Sequence, residues 1–254
     1  MRLEEKIKER FLYSKNNNLL KCFYFFLQRF KLKGLKKNYT VTGVDLLLDN
    51  FFKNKNIKQG VYIDVGCNHP FFNNYTYLLY KKGWSGINID LDFHYVDMFN
   101  HFRVDDFNKQ TAISDTQGET DLFFYHNKSA INTLSKDMHS SRGNAAKEIR
   151  KIKTDTLNNV IQNSPFAGKK INLLTIDVEG FEMNVLKGFD LEKYSPEVVV
   201  VEYVDFSMKK QEFYNQNINN VINCELYNFM KDRSYTFVNW LSSDLIFINN
   251  KIRD

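Results

Sequence analysis

Three short apolar runs constrain the fold of this chain more than any other feature of its sequence. They occupy residues 60–66 (GVYIDVG), 171–177 (INLLTID) and 197–202 (EVVVVE). None of them alternates strictly between apolar and polar residues, as a strand with one solvent-facing side would. Near-continuous apolar strands are typical of parallel sheets that helices cover on both faces. The sequence therefore predicts an α/β protein whose central strands are buried on both sides.

Helical and strand patterns alternate along the rest of the chain. Further strands are predicted at 86–90, 111–114 (the third strand of the main sheet), 120–125 and 149–154. Helices are predicted at 44–52, from Asn73 or Asn74 to Lys82, and at 95–101, 155–162, 180–187 and 221–231. This order predicts a Rossmann-like, doubly wound, mostly parallel seven-stranded sheet. Residues 235–240 and 245–248 are expected to close the sheet as a C-terminal antiparallel hairpin.

The positive charge of the chain is concentrated near its N-terminus. The formal net charge is +5, but residues 1–40 alone hold 11 Lys or Arg and 3 Asp or Glu, so residues 41–254 are net acidic. Apolar residues recur at helical spacing within 1–14 and 19–33. We therefore expect a basic amphipathic helical extension over 1–40 and a catalytic domain over 41–254. The extension would pack on that domain or a partner protein, lie on an anionic membrane surface, or contact nucleic acid.

Cysteine usage and the apolar runs bear on the cellular location. Cys22, Cys67 and Cys224 are far apart and form no CxxC pair, which indicates neither a disulfide framework nor a zinc site. The first ten residues are charged throughout and lack the apolar core of a secretory signal. We therefore expect a cytoplasmic protein. The basic extension suggests that it could also contact the inner face of the membrane peripherally. The acidic body argues against a broad nucleic-acid groove.

Polar or acidic residues stand at the end of every predicted parallel strand. The first strand ends in Asp64 to Asn68, the second in Asp90, the fourth in Asp177 to Gly180 and the fifth in Glu202. Ligands of open α/β sheets bind beyond the carboxyl ends of the strands. Buried carboxylates are costly unless they bind something. A ligand site is therefore predicted at this edge.

The layout of these residues fits S-adenosylmethionine (SAM). Gly66 allows the backbone to approach the methionine part of the cofactor, and Asp90 can accept hydrogen bonds from both ribose hydroxyls. Ala112, a small residue after the third strand, leaves room for the adenine. Acidic residues suit the cationic sulfonium and ammonium groups. A dinucleotide would need several glycines in the first turn, but residues 66–70 (GCNHP) contain one.

Two separated signatures resemble those of the FkbM-type methyltransferases. The stretch 61–90 carries Asp-x-Gly-x-Asn, a helix, Gly-Trp-x-Gly and an acid-ending strand. The stretch 173–186 (LLTIDVEGFEMNVL), with KTDTL at 153–157 before it and PEVVVVE at 196–202 after it, resembles the second signature. The sequence departs from the family at Cys67, at His69-Pro70 and at Asp90, where the family usually has Glu before Pro.

The resemblance implies a class I SAM-dependent methyltransferase that methylates a hydroxyl. Acceptors in such a family are often sugars, polysaccharide or glycolipid precursors, or polyketide-like molecules, so a carbohydrate or glycolipid precursor is the expected substrate. Together with the layout of the strand ends, it predicts the following cofactor contacts: Asp64, Gly66, Cys67, Asn68, Asp90, Leu91, Ala112 and Asp177.

A hydroxyl acceptor needs a general base, and four residues are candidates. Glu179 is preferred because it lies just past a strand end; Asp177, Glu202 and His69 are the others. Each has a structural alternative, such as helix capping or a contact to loop backbone. The three acids could also hold a divalent cation, but their spacing does not demand one, so we expect no metal ion.

Other functions remain open at this point. The acceptor group could be a nitrogen or a phosphate-linked group of a glycan. The chain could also be a non-catalytic binding protein that retains the fold, a hypothesis that rests on the altered residues 67–70. A nucleic-acid methyltransferase is supported only by the sequence pI of about 8.9 and the basic extension.

Overall fold

The computed structural model describes residues 37–127, 129–208 and 213–253. The predicted N-terminal extension lies outside the described residues except for its last few positions, and it stays a prediction. Within the described ranges, no helix combines the length and the apolar character that crossing a bilayer requires.

A seven-stranded sheet forms the centre of the protein. Its strands are β1 (Val61–Val65), β2 (Ser85–Asp90), β3 (Phe107–Gln110), β7 (Leu173–Ile176), β8 (Val198–Glu202), β9 (Tyr235–Leu241) and β10 (Asp244–Asn249). They lie in the order β3-β2-β1-β7-β8-β10-β9. The first five are parallel, and β10 runs antiparallel to β8 and to β9. The predicted mostly parallel sheet with a C-terminal antiparallel hairpin is confirmed.

The apolar runs of the sequence form the middle of this sheet. All four residues of β7 are buried, and the first four of β8 are valines that are at most 2% exposed. One face of the sheet packs into a large core that includes Ile63, Leu174 and Val199, and the other face into a core around Phe52, Tyr62 and Trp84. Burial on both faces explains why these strands lack alternation.

The third strand of the main sheet differs from the prediction. The sequence favoured 111–114, but β3 is Phe107–Gln110, and β4 (Ala112–Ile113) belongs to a second sheet. In that sheet β6 (Glu148–Asp155) lies between β4 and β5 (Gly118–Phe124). Strand β3 is at the edge of the main sheet and only half-buried to exposed, so its residues FNKQ form no apolar run.

The helices surround the sheet. They are α1 (Val44–Asn54), α2 (Tyr77–Tyr80), α3 (Phe93–Phe102), α4 (Lys136–Ser141), α5 (Leu157–Gln162), α6 (Glu182–Lys187), α7 (Leu191–Tyr194), α8 (Ile218–Ile222) and α9 (Glu225–Asp232). The predicted helix from Asn73 or Asn74 to Lys82 is wrong in its first part, because α2 begins only at Tyr77. The buried Asn74 side chain accepts a hydrogen bond from the Thr76 amide, which holds the chain in a turn before α2.

A fully buried arginine links the strands to the loop that follows β1. The Arg103 guanidinium donates to Asp106 (3.0 Å), to the Tyr62 hydroxyl on β1 (2.7 Å) and to Thr76 (2.8 Å) and Asn74 (3.0 Å). The amide group of Asn74 in turn donates to the Cys67 carbonyl at 3.2 Å. A buried cation needs such compensation, because an unpaired charge in the interior costs several kcal/mol.

Replacing Arg103 is therefore expected to destabilise the fold strongly. Arg103→Met leaves Asp106 buried without its cation and should lower the free energy of unfolding by about 3–5 kcal/mol, measured by urea denaturation. The control is Lys151→Met, since Lys151 pairs with Asp121 at the surface and exposed pairs contribute about 0–1 kcal/mol. Equal losses in the two variants would contradict a structural role for the buried network.

Candidate functional site

A cavity of about 300 Å³ lies at the carboxyl ends of the parallel strands. Residues at or just after the ends of β1, β2, β7 and β8 line it, together with residues of 129–134 and the turn between β9 and β10. The strand order reverses direction between β1 and β7. Open α/β sheets bind ligands at such a switch point, so the cavity lies where the sequence predicts a ligand site.

Gly66 brings the backbone after β1 against the backbone after β7. A Cβ atom at this position would stand 1.8 Å from the carbonyl oxygen of Asp177, and Gly66 has a φ of +81°. Its amide donates to the Ile89 carbonyl at 2.9 Å. No side chain fits here. The bare backbone of Gly66 thus forms the floor of the cavity between two strands.

The Asp90 carboxylate is held by two backbone amides. Its Oδ2 accepts from the Asn68 amide and its Oδ1 from the Asp92 amide, both at 2.8 Å. Burial raises the pKa of Asp90 to about 6, and the two backbone hydrogen bonds oppose this shift. Each oxygen keeps a further lone pair, so the carboxylate can accept two hydroxyl groups from a ligand.

Six of the eight predicted cofactor residues line the cavity: Gly66, Asn68, Asp90, Leu91, Ala112 and Asp177. Asn68 adopts a left-handed backbone with a φ of 48°. Its Oδ1 atom is buried and has no hydrogen-bond partner within the described residues. A buried acceptor without a donor costs free energy unless a ligand or a water satisfies it. Asn68 therefore marks a point where a ligand donor fits.

The other two predicted cofactor residues do not line the cavity. Asp64 is buried behind it, where it accepts hydrogen bonds from Thr175 (2.8 Å) and Thr76 (3.0 Å). Cys67 is buried, and its carbonyl accepts from Asn74. Burial raises the pKa of the Cys67 thiol well above its ordinary value. Both residues hold the first loop in shape from behind.

His69, one of the four candidate bases, also lies outside the cavity lining. Its Nδ1 accepts from the amides of Phe71 (3.1 Å) and Phe72 (3.3 Å), and burial lowers its pKa. An acceptor nitrogen that is already engaged by two amides has little capacity to take a proton from a substrate. The geometry gives His69 the alternative role of binding loop backbone.

The three acidic base candidates meet in one cluster. Carboxylate oxygens of Asp177, Glu179 and Glu202 lie within 4.8 Å of one another. Asp177 follows β7 and Glu202 ends β8, and these two strands are parallel neighbours. Burial, followed by the charge of the neighbouring Glu179, raises the pKa of Asp177 well above its ordinary value, and burial followed by Asp177 does the same for Glu202.

Glu179 is fixed by residues of the segment between β5 and β6. The Arg142 guanidinium forms an ion pair with its carboxylate, and the Thr133 hydroxyl donates to its carbonyl at 2.6 Å. Glu179 has a left-handed backbone with a φ of 57°, a conformation that costs an ordinary residue about 1–2 kcal/mol. The segment thus holds a strained residue at the edge of the cavity.

Sequence reasoning missed two further acids and the partner of Glu179. Asp244 lies opposite Glu202 in the antiparallel pairing of β10 with β8 and accepts from the Tyr75 hydroxyl at 2.8 Å. Glu182 accepts from the amides of Val178 and Gly180, and burial raises its pKa to about 7. The sequence does hold a signal for Asp244, because it directly precedes a predicted strand and Glu202 ends the strand that pairs with it. No local pattern distinguishes Arg142.

The chain was compared with known families and structures. The family model described as methyltransferase FkbM domain matches residues 64–237 of the 254. A search of curated protein sequences found no match.

Three solved structures are similar to the chain. A TehB-like SAM-dependent methyltransferase from Corynebacterium glutamicum is 9% identical, with 90% of this chain and 97% of that one covered and a TM-score of 0.41. A putative caffeoyl-CoA O-methyltransferase from Staphylococcus aureus is 12% identical, with 97% and 98% covered and a TM-score of 0.37. Monomeric WbdD is 12% identical with a TM-score of 0.37; 85% of this chain is covered, but only 42% of WbdD.

The close approach at Gly66 leads to a testable prediction. Gly66→Ala pushes a methyl group into the Asp177 carbonyl and should weaken binding of S-adenosylhomocysteine, the product of SAM, at least tenfold in calorimetry. Gly168→Ala is the matched control, because Gly168 also has a positive φ (+75°) but open space around its Cβ position. Unchanged affinity in Gly66→Ala would contradict the proposed floor of the cavity.

Proposed function

Because the chain belongs to the FkbM family of methyltransferase domains, we propose that it is a SAM-dependent O-methyltransferase. The acceptor is a hydroxyl of a sugar, on a surface-polysaccharide or glycolipid precursor. The protein acts in the cytoplasm, and its basic N-terminal extension contacts a partner protein or the inner face of the membrane. Family membership carries the methyltransferase part of this proposal, and the chemistry of the cavity carries the choice of acceptor.

The combination of groups that line the cavity is the observation that most strongly supports SAM as the cofactor. The bare backbone at Gly66, the two-oxygen acceptor at Asp90 and the unsatisfied Oδ1 of Asn68 line one cavity next to an acidic cluster. These groups match a cofactor that has a ribose diol, an amine and a cationic sulfur. The first turn has neither the glycine spacing nor the helix N-terminus that a pyrophosphate requires.

The cofactor, when bound, supplies a methyl group on a cationic sulfur. Asp90 would hold its ribose, Ala112 would leave space beside its adenine, and Asp177 would face its cationic end. The role of the protein is then to place the acceptor oxygen in line with that methyl group and to exclude water.

The proton of the acceptor hydroxyl needs a base, and the geometry favours Glu202. Its Oε2 atom is buried and has no hydrogen-bond partner among the residues that the structure describes. Glu179, the candidate preferred from the sequence, is engaged by Arg142. A carboxylate with a raised pKa is a stronger base than an ordinary one. Glu202, with Asp177 beside it, is therefore the proposed base.

The acceptor side of the cavity has the chemistry of a sugar site. Its lining includes hydroxyl and amide groups from four separate parts of the chain: Thr42, Asn73, Tyr75, Asn132, Ser242 and Ser243. Such groups donate and accept hydrogen bonds without carrying charge. A polyhydroxylated ring fits this lining better than a flat apolar acceptor does.

Transfer of a labelled methyl group tests the proposed function. The purified protein is incubated with SAM that carries a trideuterated methyl group and with mono- and oligosaccharides, and products are detected by mass. NMR then shows whether the label is on oxygen or on nitrogen. Labelled sugar ethers would support the proposal, and transfer only to nitrogen or to no saccharide would contradict it.

Asp90 gives a prediction on cofactor binding and its pH dependence. Asp90→Asn should weaken S-adenosylhomocysteine binding at least tenfold, since hydrogen bonds to a charged acceptor contribute about 1.5–3 kcal/mol each. The pKa of Asp90 is about 6. Wild-type affinity should therefore fall by up to tenfold per pH unit below 6, as the carboxylate becomes protonated.

Calorimetry between pH 5 and pH 8 measures both effects. Burial also raises the pKa of Asp244, another acid of the cavity, to about 6, so the difference between wild type and Asp90→Asn isolates Asp90. Parallel pH profiles for the two proteins would show that Asp90 does not contact the ligand.

A further inference from the structure

The cavity has an unusual charge composition. Six acidic residues line it: Asp90, Asp92, Asp177, Glu179, Glu202 and Asp244. Over the described ranges, no Lys, Arg or His contributes to its lining. Carboxylates in a partly enclosed cavity repel one another and any anionic ligand, because the surrounding protein screens charge less than water does.

Three of these acids have evident local partners. Asp90 accepts two backbone amides, Asp92 caps α3 by accepting from the His94 amide at 2.8 Å, and Glu179 is paired with Arg142 behind the cavity wall. On the other side, Asp177, Glu202 and Asp244 form no ion pair within the described residues, and Asp244 accepts only the neutral Tyr75 hydroxyl there.

Glu202 and Asp244 face each other across β8 and β10, where they are register partners. The Glu202 Oε2 atom is buried without a partner in the described part of the chain. Asp244 is buried and accepts from Tyr75, and burial raises its pKa to about 6. Two facing carboxylates with an unsatisfied oxygen between strands form a site for a hydrogen-bond donor with a positive charge.

The strand order separates this pair from most of the proposed cofactor contacts. Those contacts lie over β2, β1 and β7, whereas Glu202 and Asp244 end β8 and begin β10, further along the sheet. Neighbouring strands are about 4.8 Å apart, so Asp244 is four strand positions, or roughly 19 Å, from the strand that holds the ribose. In the proposed arrangement the sulfonium compensates Asp177, which leaves Asp244 and Glu202 for the acceptor.

We propose that the sugar ring that enters this cavity carries a protonated amine, which binds between Glu202 and Asp244, and that anionic sugars are rejected. This inference rests on the proposed function and names its substrate class. A protonated amine has three donors and no lone pair. It therefore satisfies both carboxylates and is not itself methylated.

The transfer step balances with the amine as a bystander. The acceptor oxygen forms its bond to the methyl carbon as the carbon–sulfur bond breaks, and the electron pair of that bond stays on sulfur. The hydroxyl proton passes to the Glu202 oxygen that the amine does not occupy, and from there to water. Because the amine keeps its proton throughout, the site directs the methyl group to oxygen.

Three methyl glycosides that differ in charge test the inference. Protein saturated with S-adenosylhomocysteine is titrated by calorimetry with the methyl glycosides of glucosamine, glucose and glucuronic acid, and with the matching galactose series. We expect the amino sugar of at least one series to bind ten times more tightly than its neutral counterpart, and the uronic acids not to bind.

A pair of variants locates the effect. Asp244→Asn should reduce amino-sugar affinity about tenfold and leave neutral-sugar affinity unchanged. Asp121→Asn is the matched control, because Asp121 loses only a surface ion pair with Lys151 and should change neither. Equal binding of amino and neutral sugars, binding of a uronic acid, or an Asp244→Asn protein that behaves as wild type would overturn the inference.

The remaining outcomes separate this inference from the proposed function. A protein that binds no S-adenosylhomocysteine contradicts the proposed function itself. A protein that binds it but binds none of the six glycosides contradicts the acceptor class alone. The last experiment is a titration with magnesium chloride in the absence of sugar. Magnesium binding that is lost in Asp244→Asn would assign the site to a divalent cation and overturn the inference.

Discussion

The buried guanidinium of Arg103 is the interaction on which the site depends. Its partners belong to β1, to the turn before α2 and to the segment before β3, so one side chain joins three parts of the chain that are distant in sequence. Through Asn74 it also holds the loop that carries Gly66 and Asn68. An interior cation must keep its partners. This requirement fixes the first loop without any contact between Arg103 and the cavity.

The acidic cluster shows how the fold concentrates charge. Each parallel strand ends at the same edge of the sheet, and three of these ends, those of β2, β7 and β8, bring a carboxylate there, as does the start of β10. Their burial, and after it their mutual repulsion, raises the pKa values of Asp177 and Glu202. Such clusters destabilise a protein, and groups of this kind mark functional sites more often than chance allows. The left-handed Glu179 adds strain in the same place.

The parts of the fold that sequence predicts are those set by local pattern. Strands β1, β2, β7 and β8 and the hairpin follow from apolar runs, and Gly66, Asp90 and Asp177 follow from the ends of those runs. The position of strand β3 was not predicted, because an edge strand needs no apolar face and so leaves no apolar run in the sequence. Asp244 was not predicted as a site residue because its place depends on the register of β10 with β8. Arg142 was not predicted because it reaches the site through a contact with Glu179, 37 residues away in the chain. Asp64 is the opposite case: the sequence predicts a cofactor contact there, but its carboxylate is buried behind the cavity and hydrogen-bonded to Thr76 and Thr175.

The small sheet of β4, β5 and β6 is inserted into the chain between β3 and β7, and the segment between β5 and β6 carries Thr133 and Arg142. One side of the cavity wall is therefore encoded in a contiguous stretch that is separate from Gly66 and Asp90. A change of length or composition between β5 and β6 can therefore reshape this wall of the cavity while Gly66 and Asp90 keep their positions.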